Sequence, residues 1–534
     1  MNTVRNFLFS GRNSFLKGTG IFLVFFLFTR LPFLLYYHVD ILSNDSASYI
    51  AAALSILNSV MPLFDIRTPG YPLFLALIWT FSKSIFAVSV MQSAFSLFTG
   101  ILVIFLFDKI YKKFTVVFAI FLTVYMTSSY FLLFESALLT EGIFTNMLLI
   151  CTALMMISIK ENKNMFWVLF SASIAFLILI RPAGLFFAGI IMLIFFYFLI
   201  KKYSLIKYVL LIIPFSVIII SLCTYNYITL NKFTITPFGE ANLSGVTILF
   251  METSDEYPQF VNTAIQQTLD SIPKKDKSYI RNYYGVTKLF NVFKDNFHRQ
   301  MNFAGNLMGD DSTKKYLDVQ PFMRMVSVDA IKKNPLIYLK FFSCNFIYFF
   351  KNLGIELRYF DQLLNSFNKN VVRELFVKEL EKKKWLQISS DRSVNEQVKN
   401  FLDEEIIQQK RLNYISLEQT NTAVFENTFL KSVYECYESF YNFFLRNLVW
   451  YIGFFSMFIL SVFLLFKTKF SDPDALIAFL IFMIFLSKAL LVSMVESSLE
   501  RYSYTVEFAV YFSIPFLLIL IQNLKNMKLK NKNI

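Results

Sequence analysis

Long runs of apolar residues, most of them close to the length of a membrane-crossing helix, set the strongest limit on how this chain can fold. A helix of about 20 apolar residues crosses the hydrocarbon core of a bilayer, and its backbone hydrogen bonds are satisfied internally. Only 16% of the 534 residues are charged, whereas soluble domains carry about 25%. We therefore predict an all-α polytopic membrane protein. Its ten predicted spans lie at roughly 18–37, 84–107, 114–133, 136–158, 166–180, 182–200, 207–227, 444–466, 474–495 and 505–523.

Lysine and arginine in the short loops predict the orientation of these spans. With a cytoplasmic N-terminus, seventeen basic residues fall on the cytoplasmic side and four on the other, namely Arg67, Lys83, Arg181 and Arg501. This bias follows the positive-inside rule and accounts for the net charge of +14 without nucleic-acid binding. The first run lacks a following A-x-A-like site, so we expect it to be retained. The prediction is a multi-pass protein of the plasma (inner) membrane with both termini cytoplasmic.

The spans divide the chain into three parts. Residues 1–228 form an N-terminal transmembrane core whose first exoplasmic loop covers 39–83, and residues 444–534 form the last three spans and a basic cytoplasmic tail. Between them, 229–443 is predicted to be an exoplasmic, mainly helical domain. Its apolar segment 334–351 is interrupted by charged and polar residues, so we interpret it as a helix in the membrane interface or packed on the bundle.

The first exoplasmic loop carries two features that suit chemistry at a membrane surface. In "SNDSASYIAAALSIL" Asp45 and Tyr49 lie four residues apart and share a helix face. Asp45 is equally suited to capping this helix, with Asn44 or Ser43 as alternatives.

The loop then reaches "RTPGYP", where two prolines and a glycine stop the backbone before the next apolar run. Arg67 is thereby held beside the water boundary, where a guanidinium binds anions through paired hydrogen bonds.

Several motifs resemble one enzyme family. The run "NDSASYIAAALSIL...RTPGYPLFLALI", followed in order by "LLTEGIFTNMLLI", "ILIRPAGLFF" and "ERYSYTVEF", is similar to bacterial membrane glycosyltransferases of the GT-C fold, the group of protein mannosyltransferases and the aminoarabinose transferase. The resemblance implies a bundle of about 10–11 transmembrane helices. It also implies transfer of a sugar from a polyprenyl-phosphate donor, delivered through the membrane lipid, to a hydroxyl of an acceptor glycan, lipid or protein at the exoplasmic face.

In such a reaction the acceptor hydroxyl needs a base, whereas the phosphate leaving group needs little acid assistance. We predict Asp45 as the general base and arginines as ligands of the donor phosphate. The candidate substrate-binding residues are Tyr49, Arg67, Tyr71, Glu141, Arg181, Lys488, Glu500, Arg501 and Tyr502. For each arginine, interfacial anchoring is an alternative role. For Glu141 and Lys488, structural pairing within the membrane is the alternative.

The sequence is compatible with a divalent cation but does not require one. Carboxylate oxygens suit a divalent cation, but no spacing of His, Cys, Asp or Glu requires one, and we predict no metal ligand. The sequence contains no phosphate-binding GxxxxGK[ST] loop, which argues against nucleotide-driven transport. Two alternatives to a glycosyltransferase remain: a lipid or polysaccharide transporter or flippase, and an oligosaccharide ligase or polymerase.

Overall fold

The regular structure of the chain is helical throughout the part that the structure describes. The computed structural model describes residues 13–32, 45–58, 67–82, 84–236, 239–273, 296–309, 316–351, 396–397, 399–401, 403–404, 449–495 and 500–532. The helices are α1 Ser14–Pro32, α2 Ser46–Leu57, α3 Gly70–Phe81, α4 Ile85–Tyr111, α5 Thr115–Met126, α6 Ser129–Glu135, α7 Thr140–Glu161, α8 Asn164–Ile180, α9 Phe187–Lys201, α10 Leu205–Leu230, α11 Gly239–Thr247, α12 Gln259–Ser271, α13 Asn296–Met308, α14 Tyr316–Lys333, α15 Pro335–Lys351, α16 Val449–Lys467, α17 Pro473–Val495, α18 Glu500–Ser503 and α19 Phe508–Lys532. Short 3-10 turns occur at Lys112–Phe114, Pro182–Phe186 and Tyr504–Val506.

The prediction of an all-α polytopic membrane protein is confirmed. Within the described ranges, eight stretches are long and apolar enough to cross a membrane. One of them, 85–126, covers most of the predicted span 84–107 and the first part of the predicted span 114–133, because α4 and α5 follow each other across a short 3-10 turn. Helix α8, with 17 residues, belongs to the shorter apolar helices and coincides with the predicted span 166–180.

Burial of the spans decreases from the centre of the bundle to its edge. In α7, 89% of the apolar window is buried, and α4 and α8 pack against it. In α10 only 17% is buried, because this helix packs mainly on α8 and exposes its remaining surface. Helix α7 therefore forms the centre of the bundle, and α10 forms a lipid-facing edge.

Helices α11 to α15 surround a second hydrophobic cluster, distinct from that of the bundle. Helix α15 contributes to both, with Phe341 in the second cluster and Phe349 in the bundle cluster. The Phe349 ring lies 5.5 Å from that of Phe485 on α17, and the Tyr338 hydroxyl donates to the Met494 carbonyl at 2.8 Å. Helix α15 therefore contacts α17 of the bundle, and its position relative to the membrane interface stays a prediction.

Candidate active site

Asp45 and Arg67, the two residues singled out in the first loop, form an ion pair. Nη2 of Arg67 lies 2.7 Å from Oδ1 of Asp45, and Nε of Arg67 donates to the Ser48 hydroxyl at 2.8 Å. The pair is partly exposed, with 24% of the arginine and 31% of the aspartate side chain accessible. Asp45 precedes α2 but makes no capping hydrogen bond with its side chain. The capping alternative is therefore wrong, because the carboxylate pairs with the guanidinium instead of the first amides of the helix.

Two tyrosines lie beneath the ion pair. The Arg67 guanidinium carbon is 4.6 Å from the centre of the Tyr49 ring, a cation–π distance. The Tyr49 and Tyr71 rings meet edge to face at 5.1 Å, and the Tyr71 hydroxyl donates to Oε1 of Gln92 at 3.3 Å. Both rings are almost fully buried, so Tyr71 holds the Tyr49 ring in place and the Tyr49 ring supports the guanidinium.

A close backbone contact brings the start of α3 to the end of α8. A Cβ atom on Gly70 would lie 2.7 Å from the backbone of Leu179 and Ile180. Only glycine permits this approach, and the next residue after Ile180 is Arg181. The contact therefore holds the turn containing Arg67 next to Arg181.

Arg181 forms the second arginine–carboxylate pair of the site. Its Nη1 atom lies 2.6 Å from Oε1 of Glu141, whose side chain is 2% exposed. The Arg181 guanidinium carbon is also 5.2 Å from the centre of the Tyr502 ring. Glu141 lies in the first turn of α7, where the helix dipole also stabilises a negative charge.

The two pairs are near enough for their charges to interact. Burial lowers the pKa of Arg67, whereas Tyr49 and Asp45 raise it, and the net direction is upward. The positive charge of Arg181 acts against that increase in the pKa of Arg67. We call the group Asp45, Arg67, Glu141 and Arg181 the arginine–carboxylate site.

Lys488 and the turn before α19 contact α7 close to Glu141. The Lys488 ammonium donates to the Thr505 hydroxyl at 2.6 Å and lies 4.5 Å from the centre of the Phe144 ring, one turn after Glu141 on α7. The hydroxyl of Tyr504 donates to the Glu141 carbonyl at 3.3 Å. Glu500 and Arg501 belong to α18, but their side chains lie outside the described part of the chain, so their roles stay predictions.

Sequence reasoning missed the turn that supports the site from within the bundle. The side-chain nitrogen of Gln92 donates to the carbonyls of Glu135 and Ala137 at 2.7 and 3.0 Å. The hydroxyl of Ser46, the first residue of α2, donates to the Leu138 carbonyl at 2.9 Å. Gln92 and Glu135 lie inside apolar runs, where burying a polar side chain is costly unless it has a hydrogen-bond partner. Their presence there is the sequence feature that could have predicted a buried polar contact.

The opposite end of the bundle carries a separate polar cluster. Asp474 pairs with Lys160 and accepts hydrogen bonds from the Tyr111 hydroxyl at 2.6 Å and from Asn523 at 2.9 Å. Tyr111 ends α4, whereas Gln92 lies near the start of the same helix. At 1.5 Å per residue, these two positions are about 28 Å apart along the helix axis. The arginine–carboxylate site is therefore confined to one end of the bundle.

In the described ranges, no group of three or more His, Cys, Asp or Glu side chains is arranged to hold a metal ion. The three described cysteines, Cys151, Cys223 and Cys344, are buried. Both carboxylates of the arginine–carboxylate site face guanidinium groups.

Comparison with known proteins returns no relative: no protein-family model, curated protein or solved structure matches the chain.

Proposed function

We propose that the chain is a GT-C-type membrane glycosyltransferase that moves a sugar from a polyprenyl-phosphate donor to an acceptor hydroxyl at the exoplasmic face. The observation that carries the proposal is the arginine–carboxylate site, in which two guanidinium groups and two carboxylates meet at one end of a transmembrane bundle. The sequence resemblance of "NDSASYIAAALSIL" and "RTPGYP" supports the same reading, because the residues of these two motifs form one half of the site.

The arginines suit recognition of a lipid-linked phosphate. A guanidinium offers a planar fork of donors that matches phosphate oxygens, and it keeps its charge at every physiological pH. Arg67 is 24% exposed and thus accessible to a ligand. Arg181 is 16% exposed and is anchored by Glu141. In our proposal the Arg67 guanidinium leaves the Asp45 carboxylate and binds the donor phosphate, while Arg181 remains paired with Glu141.

Asp45 supplies the base in this scheme. While Asp45 is paired with Arg67, the guanidinium occupies a carboxylate oxygen that the acceptor hydroxyl needs as its hydrogen-bond partner. Transfer of Arg67 to the donor phosphate releases that oxygen, so that the acceptor hydroxyl can donate to it. The acceptor oxygen then bonds to the anomeric carbon, the bond from that carbon to the phosphate oxygen breaks, and the hydroxyl proton passes to Asp45.

The distribution of lysines between the two ends of the bundle supports the proposed orientation in the membrane. The end of the bundle opposite the arginine–carboxylate site carries the loops with Lys112, Lys163, Lys202 and Lys469, and such loops are typically cytoplasmic. This supports an exoplasmic site and cytoplasmic termini.

The direct test is to incubate the purified protein with a panel of polyprenyl-phosphate sugars and acceptors and to measure release of the lipid phosphate. Release that requires both an acceptor and a particular sugar supports the proposal. Binding of lipid-linked sugars without release, combined with their movement across proteoliposome membranes, would instead identify a transporter.

A further inference from the structure

A groove outside the arginine–carboxylate site opens between the second hydrophobic cluster and the end of α10. Its volume is about 820 Å³, within the range of small-molecule sites. One wall consists of Lys232–Thr234, directly after α10, and the other of α14 between Pro321 and Lys332. Tyr257 also lines the groove. None of the lining residues belongs to the arginine–carboxylate site.

Positive charge predominates in this groove. Lys232, Arg324 and Lys332 line it, together with the acidic residues Glu256 and Asp329. The Asp329 carboxylate accepts a hydrogen bond from the Tyr257 hydroxyl at 2.6 Å and forms an ion pair with the ammonium of Lys333 at 3.0 Å. Lys333 does not belong to the groove lining. Hydrogen bonds from these two residues hold the pKa of Asp329 below its usual range. The lining therefore carries three cations and two carboxylates, and one of these carboxylates, Asp329, already bonds to Tyr257 and Lys333.

The groove adjoins the lipid-facing edge of the bundle. The last turn of α10 exposes Tyr227 by 55% and Ile228 by 71%, and Phe233 in the groove wall is 65% exposed. The Asn226 side chain donates to the carbonyls of Thr234 and Ile235 at 2.7 and 3.2 Å, which folds the wall back onto the helix end. Cationic groups thus begin where an apolar, outward-facing helix surface ends.

We propose that this groove binds the headgroup of an anionic phospholipid, with its phosphate between Lys232 and Arg324 and its acyl chains along the outer face of α10. A lipid satisfies both halves of the surface, because its phosphate meets the cations while its chains cover Tyr227 and Ile228. A soluble anion would use only the first half. Basic pockets beside transmembrane helices are a known form of lipid recognition. This inference is independent of the proposed glycosyl transfer.

The test measures binding of short-chain lipids to the purified full-length protein in a neutral detergent by native mass spectrometry. The probes are dioctanoyl phosphatidylglycerol, dioctanoyl phosphatidylcholine and glycerol 1-phosphate, which carries the headgroup phosphate without acyl chains. The variants are Arg324→Gln and the double variant Lys232→Gln/Arg324→Gln. Arg299→Gln on α13 is the matched control, because it removes one arginine from the same set of helices without changing the groove lining.

We expect phosphatidylglycerol to bind the parent more tightly than phosphatidylcholine does, and glycerol 1-phosphate to bind weakly. Loss of charge-assisted contacts predicts at least about fivefold weaker phosphatidylglycerol binding in the double variant and an unchanged affinity in Arg299→Gln. Arg324 is exposed, so the single variant carries the test if the double variant melts at a lower temperature than the parent.

Three results would overturn the inference. Equal affinity for the two lipids would remove headgroup recognition. An equal loss of affinity in Arg324→Gln and Arg299→Gln would remove the groove as the binding place. Glycerol 1-phosphate binding as tightly as phosphatidylglycerol would identify a site for soluble anions instead of a lipid site.

Discussion

The side chains of Arg30 and Glu135 form an ion pair that is almost entirely enclosed by protein, each with 1% of its surface exposed. Two hydrogen bonds join them, from Nη2 to Oε2 at 2.9 Å and from Nε to Oε1 at 3.3 Å. The same arginine donates at 2.6 Å to the carbonyl of Met126, which is the last residue of α5. The Ser93 hydroxyl donates to the Glu135 carboxylate. One buried pair thus fixes the turn that supports the arginine–carboxylate site.

We predict that Arg30→Met and Glu135→Leu each destabilise the protein by about 3–5 kcal/mol, because either change leaves an uncompensated buried charge. The double variant should lose less than the sum of the two, since it removes both charges together. Thermal unfolding in detergent gives the three values for a double-mutant cycle. Additive losses would mean that the two side chains do not stabilise each other.

Asp45→Asn should reduce turnover by at least about 100-fold, because the amide keeps the shape of the side chain but cannot accept the proton. Thermal stability should change little, since the pair with Arg67 is partly exposed and such pairs contribute about 0–1 kcal/mol. Glu161→Gln is the matched control, because it removes a partly exposed carboxylate that pairs with Lys163 at 2.7 Å at the other end of α7. Near-normal turnover of Asp45→Asn would limit Asp45 to orienting Arg67.

Arg67→Lys and Arg181→Lys should each weaken donor binding by roughly 10-fold or more, because lysine keeps the charge but loses the paired hydrogen bonds to phosphate. Membrane insertion should be unaffected. The measurement is the affinity for a polyprenyl phosphate, with Arg299→Lys as a control at an arginine away from the site. Parental affinity in both site variants would leave these arginines as interfacial anchors; Arg501→Lys extends the same test to α18.

Gly70→Ala should destabilise the protein by about 1–3 kcal/mol, as overpacking does, and should lower donor affinity by separating Arg67 from Arg181. The added Cβ would lie 2.7 Å from backbone atoms of α8, which cannot move aside as a side chain can. Gly20→Ala is the matched control, since nothing lies within 4 Å of a Cβ at that helical position. A Gly70→Ala protein that melts and binds donor like the parent would show that the contact is dispensable.

The sequence predicts those parts of this molecule that depend on local pattern. Apolar runs indicate the helices because length and hydrophobicity are properties of one segment, and "RTPGYP" indicates a stop because proline and glycine act on their own backbone. The contact of Gly70 with Ile180 lies beyond such reasoning, since it joins segments 110 residues apart. For the same reason the sequence identified Glu141 as an intramembrane charge without indicating that its partner is Arg181.

The predicted span 114–133 shows a different limit. It contains no charged residue, yet α5 ends at Met126, the chain turns at Thr127–Ser128, and α6 begins at Ser129. Composition does not distinguish a continuous helix from a broken one. At this interruption the Met126 carbonyl accepts a hydrogen bond from Arg30, which belongs to another helix.

The shortness of α5 has a consequence for depth. Its 12 residues extend only about 18 Å, whereas the hydrocarbon core is about 30 Å thick. With Lys112 and Lys113 at the cytoplasmic boundary, as in the proposed orientation, the turn after Met126 lies inside the thickness of the bilayer, where irregular backbone persists only when protein surrounds it. Arg30 substitutes for the water that this carbonyl would otherwise require. In the proposed orientation the polar turn that receives hydrogen bonds from Ser46 and Gln92 lies below the headgroup level, and the proposed reaction then requires the donor phosphate to move inward from the headgroup region.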